Sequence, residues 1–431
     1  MKPKAAEVVT FILVLVTTAL TIVNSAQAAG KFRVIHSFLD KPASIPSSAL
    51  VADTAGNLYG VTKFDKTSMP GNCGEYGCGG AVFKLTHESG GKWNYSIIHL
   101  FKGPDGSVPT GSLIFDSSGN LYGTTVDGGA HNYGTVFELS PSAGKWEESV
   151  LYSFAGYPAD LDTPLGALTF DASGNLYGTA SNEATNSQGG VFELKPSGNG
   201  WQETVLYNFT GSDGSNPYTS NVVLDSKGNL YGTTLFGGES DAGVVFELKF
   251  SSGSWTESVL YSFTGGADGG GPASGVIFDM AGNLYGTTVN GGIGSCGGGC
   301  GTVFELASSM GNWTLSVLHE FNNPQNKDDG QWPFAGLVFD SAGSLYGTTY
   351  QGGIYGNGMV FKLSQSGDEW KRATLHSFDN KDGQEPYAGV IIDKHGVVYG
   401  AATLGGAGFG VVFSITPIEW ANVLQTIAIR A

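Results

Sequence analysis

Carboxylates are the first residues in this sequence whose type and spacing suggest chemistry. Asp-Gly-x-x-Pro occurs five times, at Asp105, Asp213, Asp268, Asp329 and Asp382, each with Pro four residues on. Asp160 keeps the spacing to Pro164 but has Leu161 in place of Gly. Six carboxylates at equivalent positions could ring one face and hold Ca²⁺, a hard cation that prefers oxygen ligands. Turn chemistry is the simpler account, because Asp-Gly is a turn signal and Pro then fixes the backbone leading into the next strand. Asp328 and Asp329 stand close to Trp332 and are the place to look for paired-carboxylate sugar cleavage. That chemistry needs its two carboxyls roughly 5 to 9.5 Å apart.

Aromatic residues in loops form a second set. Trp332, Tyr157, Tyr218, Tyr350, Tyr355 and Tyr387 do not follow the repetition that governs most aromatics of this chain. Flat rings in loops suit stacking against a sugar or a peptide. They suit equally well plugging a channel or covering inner strands. His36, His99, His319 and His376 each take the place held elsewhere by Tyr152, so they read as packing variants. No metal-ligand spacing links His87, His131 and His395. There is no Gly-x-Ser-x-Gly elbow and no phosphate-cradling loop. The cysteines fall in two close pairs, Cys73–Cys78 and Cys296–Cys300, which in an exported chain are expected to form two local disulfides. Loops this short gain rigidity more than global stability from a bridge.

What positions these residues is a repeat. The Tyr of a Leu-Tyr-Gly motif recurs at Tyr59, Tyr122, Tyr177, Tyr231, Tyr285, Tyr346 and Tyr399, with Val before the last, at spacings of 63, 55, 54, 54, 61 and 53. Each copy holds four short runs rich in Val, Leu, Phe, Tyr and Thr, such as 111–115, 120–125, 134–139 and 146–154. Between the first two runs lies Asp-x-x-Gly-Asn or a close variant, a tight hairpin capped by Asp with Gly in the left-handed position. Four antiparallel strands repeated seven times predict an all-β fold, a seven-bladed β-propeller, because one blade alone cannot bury both its faces. The units lie near 47–101, 109–154, 164–209, 217–263, 272–321, 333–378 and 386–415. The seventh has only three strands of its own. Residues 31–38 copy the ending of a fourth strand and are expected to complete it, closing the ring. A competing reading gives that slot to residues 420–427.

The string Gly-Asn-Leu-Tyr-Gly-Thr-Thr, Gly-Gly and Gly-Thr-Val-Phe-Glu-Leu resembles the GloVer tandem repeat of exported bacterial proteins, over essentially all of residues 31 to 415. The resemblance implies a propeller-like protein outside the cytoplasm, often tethered by a C-terminal anchor, with no established activity. The 16 residues after Ile415 hold neither an apolar span nor a sorting signal.

Lys2 and Lys4, the apolar run 8–23 and Ala26-Gln27-Ala28 read as an export signal over residues 1–28, with an uncleaved anchor as the alternative. No second apolar run follows. Its removal takes away Lys2, Lys4 and Glu7, so 21 basic and 38 acidic side chains become 19 and 37, and the formal charge goes from −17 to −18. Such a surface repels nucleic acid and anionic membranes. These features predict a monomeric, periplasmic or extracellular module that binds carbohydrate or protein and needs no cofactor unless Ca²⁺ binds. A secreted hydrolase or lyase and a ligand-free envelope protein are the alternatives.

Overall fold

A computed structural model of the chain describes residues 30–39, 43–65, 79–156, 160–181, 188–198, 200–322 and 328–417. The expected export signal, the Cys73–Cys78 pair, Tyr157 and residues 420–427 lie outside them. No described helix is long and apolar enough to cross a membrane.

Burial patterns along the strands dictate the architecture. Second strands such as Leu176–Ala180 and Leu230–Thr234 are buried at every residue. A strand hidden on both faces needs a packed layer on each side. Fourth strands such as Gly200–Asn208 alternate exposed and half-buried residues, as outer edges do. Strands pair in the order first to fourth, as in Thr169–Phe170, Leu176–Ala180, Gly190–Ser197 and Gly200–Asn208, all antiparallel. This plan holds in seven successive sheets.

Packing joins each sheet to the next. Tyr122 and Phe154 of blade 2 share one core with Leu176 and Phe192 of blade 3. The last blade packs the same way on both sides: Phe378 of blade 6 meets Val398 and Phe413, and Val412 meets Leu50 and Phe83 of blade 1. Seven inter-blade cores therefore form a closed cycle, and the molecule is a seven-bladed β-propeller. Its seventh blade consists of Ile391–Ile392, Val398–Ala402 and Val411–Thr416, with Lys31–Ser37 antiparallel to the third of these as the fourth strand. The register runs from Lys31 opposite Thr416 to Ser37 opposite Val411.

Polar groups fix the wedges where apolar contact alone has no direction. The Thr after Leu-Tyr-Gly donates across to a carbonyl of the next blade: Thr124 to Gly166 (3.1 Å), Thr179 to Ser220 (2.6 Å), Thr233 to Ser274 (2.7 Å), Thr287 to Ala335 (3.0 Å) and Thr348 to Ala388 (2.9 Å). The innermost run is less regular than its sequence predicts. In blade 2 only Ile114–Phe115 of 111–115 pairs with the second strand. Residues before it turn toward the neighbouring blade instead, and a Cβ on Gly111 would stand 2.5 Å from the Gly166 carbonyl oxygen.

Candidate functional site

Loops from a fourth strand to the next first strand share one face with the loops between second and third strands, and the two sets pair directly. Gln331 stands opposite Gln351, Ser215 opposite Phe236 and Gln384 opposite Leu404. On this face the residue just before each loop proline is left-handed: Ile45 (φ 64°), Val108 (55°), Thr163 (56°), Asn216 (54°), Gly271 (62°), Trp332 (56°) and Glu385 (54°). Branched or bulky side chains avoid that region, and it persists only where the surroundings over-determine it. Here they do. Each N–H donates to a carbonyl of the preceding blade's loop, as Val108 to Gly79 (2.6 Å), Trp332 to Cys300 (2.9 Å) and Glu385 to Asn357 (2.9 Å). Seven rigid, backbone-clamped positions thus carry seven different residue types.

Immediately after each proline stand Ser47, Thr110, Leu165, Tyr218, Ala273, Phe334 and Tyr387, of which Ser47, Thr110, Leu165, Phe334 and Tyr387 line the central channel. The channel is a cavity of about 180 Å³ lined by residues including Ser48, Ser112, Asn221, Phe334 and Tyr387. Its mouth is one-sided. Phe334 and Tyr387 stack at 5.0 Å, and Tyr350 meets both edge-on at 5.5 and 6.1 Å. Burial, then the neighbouring Tyr218 hydroxyl, holds Tyr387 well above the usual phenol range. The ammonium of Lys63 lies 5.5 Å from the centre of the Tyr387 ring, and burial lowers its pKa. Tyr350 donates to Glu385 Oε2 at 2.7 Å and is pushed up to about 12 by burial, then by that bond. Gln384 donates to the other Glu385 oxygen at 3.1 Å. The mouth thus joins an aromatic wall from blades 4, 6 and 7 to a cation, a carboxylate and an amide.

The Gloeobacter/Verrucomicrobia repeat model matches residues 19–169, 71–299 and 258–429, which together span nearly the whole chain. The protein belongs to the Gloeobacter/Verrucomicrobia repeat family. Among curated proteins, no sequence matches it. Solved structures similar to this repeat protein include a Lactobacillus plantarum protein (15% identity, TM-score 0.49) and a Bacteroides uniformis protein named as a candidate 6-phosphogluconolactonase (14%, 0.48). Each pairing covers 78% of this chain and 87% of the other. A Dyadobacter fermentans protein of unknown function is similar at 12% identity and TM-score 0.43, over 89% of this chain and 96% of that one. At these values the likenesses carry no argument about activity.

The six loop carboxylates of the repeat protein stand beside the outermost strands. Five accept a hydrogen bond from the Tyr or His of their own blade's fourth strand, Asp105 from His99 (3.1 Å), Asp160 from Tyr152 (2.7 Å), Asp213 from Tyr207 (2.5 Å), Asp268 from Tyr261 (3.1 Å) and Asp329 from His319 (2.9 Å), and Asp382 stands at ion-pair distance from His376 (2.8 Å). Most also cap the turn, as Asp105 does by accepting the Lys102 N–H at 2.7 Å. Asp329 is 1% exposed and further held by Arg372 Nε at 3.1 Å, whereas Asp328 is exposed. Cys296 and Cys300 form a disulfide between the second and third strands of blade 5. Of the loop aromatics, Tyr218, Tyr350 and Tyr387 come together. Trp332 makes no ring contact with them among the described residues, and Tyr355 is 61% exposed elsewhere on the face.

Four members of the mouth, Phe334, Lys63, Gln384 and Glu385, escape a reading of the sequence. Phe334 carries a positional signal, since it follows Pro333 as Tyr218 follows Pro217 and Tyr387 follows Pro386. Lys63 carries none, because it joins the others only when blade 1 meets blade 7. The partnership of the fourth-strand Tyr or His with the loop Asp was also missed, although the two co-occur in six blades and both supply a donor.

Proposed function

We propose that the protein is an exported binding module that engages carbohydrate at the mouth of the propeller channel. The observation that carries this reading is the convergence of Tyr218, Phe334, Tyr350 and Tyr387 beside Lys63 and Glu385. Aromatic faces suit the C–H faces of sugar rings, and a few fixed polar groups orient the hydroxyls. The channel below is smaller than the roughly 300 to 1,000 Å³ of a typical small-molecule pocket, so the ligand rests on the mouth. The acidic surface favours an uncharged glycan over a polyanion. The Cys296–Cys300 bridge fits an oxidising compartment, in keeping with export to the periplasm or beyond.

A glycan array probed with the protein, followed by calorimetric titration of the retained glycan, tests the reading. Phe334→Ala and Tyr387→Ala should each weaken binding at least tenfold, while Trp332→Ala should change it less. Retention of no glycan, or binding indifferent to both mouth substitutions, would overturn it.

A further inference from the structure

At the seams between fourth strands the repeat contains its own controls. The residue two places after each fourth-strand Trp faces the Tyr or His and the loop Asp of the preceding blade. That place is Glu148 against His99 and Asp105, Glu203 against Tyr152 and Asp160, and Glu257 against Tyr207 and Asp213. Other seams are filled differently. Tyr95 stacks on His36 at 4.2 Å, and Phe32, four residues before His36 in the closing strand, stacks on His376 at 3.5 Å. Between blades 5 and 6 the place belongs to Arg372, whose guanidinium forms an ion pair with Asp329 beside His319.

Only the seam between blades 1 and 2 combines imidazole with two carboxylates among the described residues. One ligand atom from each of His99, Asp105 and Glu148 lies within 4.8 Å of the other two. Glu148 Oε1 is shut off from solvent and has no hydrogen-bond partner, as is true of Glu203 Oε1 and Glu257 Oε1 in the sister seams, so the imidazole of His99 is what sets this seam apart. A buried carboxylate oxygen left without a donor is costly, so it needs a proton or a cation. Blade 6 shows the second solution in covalent form, with a cationic side chain at the equivalent place. From this juxtaposition we propose that His99, Asp105 and Glu148 form a binding site for a divalent transition-metal ion of the Zn²⁺ class, bridging blades 1 and 2.

The geometry suits such an ion. A tetrahedral site with metal–ligand bonds of about 2.0–2.2 Å puts neighbouring ligand atoms roughly 3.4 Å apart. The His99–Asp105 separation of 3.1 Å is already close to that, and the Glu148 ligand atom lies within 4.8 Å of both. Asp105 is oriented by the Lys102 N–H on its other oxygen, and His99 is braced edge-on by Phe101 at 4.7 Å. One imidazole and two carboxylates favour Zn²⁺ or a neighbouring first-row ion over Ca²⁺, which takes all-oxygen sites. Three protein ligands leave a fourth position for water. The two sister seams keep both carboxylates but offer a neutral phenol, a poor ligand. The same Glu-Asp pair therefore separates metal binding from mere carboxylate proximity within one molecule.

The test uses the full chain with its Cys296–Cys300 disulfide intact, stripped with a chelator and titrated with Zn²⁺ against a chromogenic competitor at neutral pH. One equivalent should bind per chain. His99→Tyr, which reproduces the arrangement of the sister seams and is expected to fold, should weaken binding at least tenfold, as should Glu148→Gln. Glu203→Gln should leave stoichiometry and affinity unchanged. Absence of stoichiometric Zn²⁺ binding would overturn the proposal, and so would binding that survives both seam substitutions. Binding of Ca²⁺ in preference to Zn²⁺ would do the same, since it would remove any role for the imidazole.

Discussion

Asp116 shows what each copy of the repeated phrase accomplishes. Its two oxygens accept the Ser118 and Asn120 N–H groups at 2.8 and 2.9 Å, the Asn120 side-chain amide at 2.9 Å and the Tyr122 hydroxyl at 3.3 Å. One carboxylate thus closes the hairpin and ties it to the second strand, and the same set recurs with small variations from Asp53 to Asp393. The Gly after that Tyr has a different task. Gly123 does not need a left-handed backbone; it needs the absence of a side chain. A Cβ there would stand 2.7 Å from the Phe137 ring and 2.9 Å from Leu113, both buried. Gly123→Ala should therefore destabilise the protein by about 1–3 kcal/mol through overpacking. Equilibrium denaturation measures this, and an unchanged midpoint would show that Phe137 can move aside.

Between elements, the seams of blades 2 to 4 couple stability to pH. Glu203 and Glu257 are each pushed up to about 7 by burial and then by the neighbouring Asp160 or Asp213. Their folded pKa lies above the unfolded value, so the folded protein binds more protons between the two. The associated stability is fully present below about pH 4.5 and is lost as pH rises through about 7. His36, pushed down to about 4 by burial, acts in the opposite sense over part of that window. The variant must therefore be compared with its parent. Glu203→Gln should raise stability at pH 8 by about 1 kcal/mol, after allowance for partial solvent screening, and leave it nearly unchanged at pH 5. Urea midpoints at the two pH values check this; an equal shift at both would contradict it. Elements were also where the sequence was most readable. The hairpin turns follow from Asp and Gly at fixed offsets, and the closing role of residues 31–38 follows from their likeness to 374–378. Seam chemistry was not readable, because Glu148 meets His99 only after two edge strands from different blades are laid side by side. The inner run 111–115 misled for a related reason. Its Gly111 lies against Gly166 of blade 3 and its Ser112 accepts the Ala49 N–H of blade 1 at 3.1 Å, so both serve neighbouring blades rather than their own ladder.

At the scale of the whole molecule, the candidate ligand face exists only because the ring closes. Lys63 of blade 1 reaches Tyr387 of blade 7 across the junction where the chain's two ends are joined without a covalent bond. Tyr218 comes from the opposite side of the circle. No local pattern could group these residues, which stand up to 324 positions apart in the chain. Closure rests on the pairing of Lys31–Ser37 with Val411–Thr416 and on the cores to either side of it. The most direct test places a cysteine at each of two partners in that register, Arg33→Cys with Ser414→Cys, and maps disulfides by mass spectrometry of the non-reduced protein. Closure by the N-terminal strand predicts an intramolecular 33–414 bridge in monomeric protein. A bridge formed only between molecules, or two free thiols in a folded chain, would contradict it.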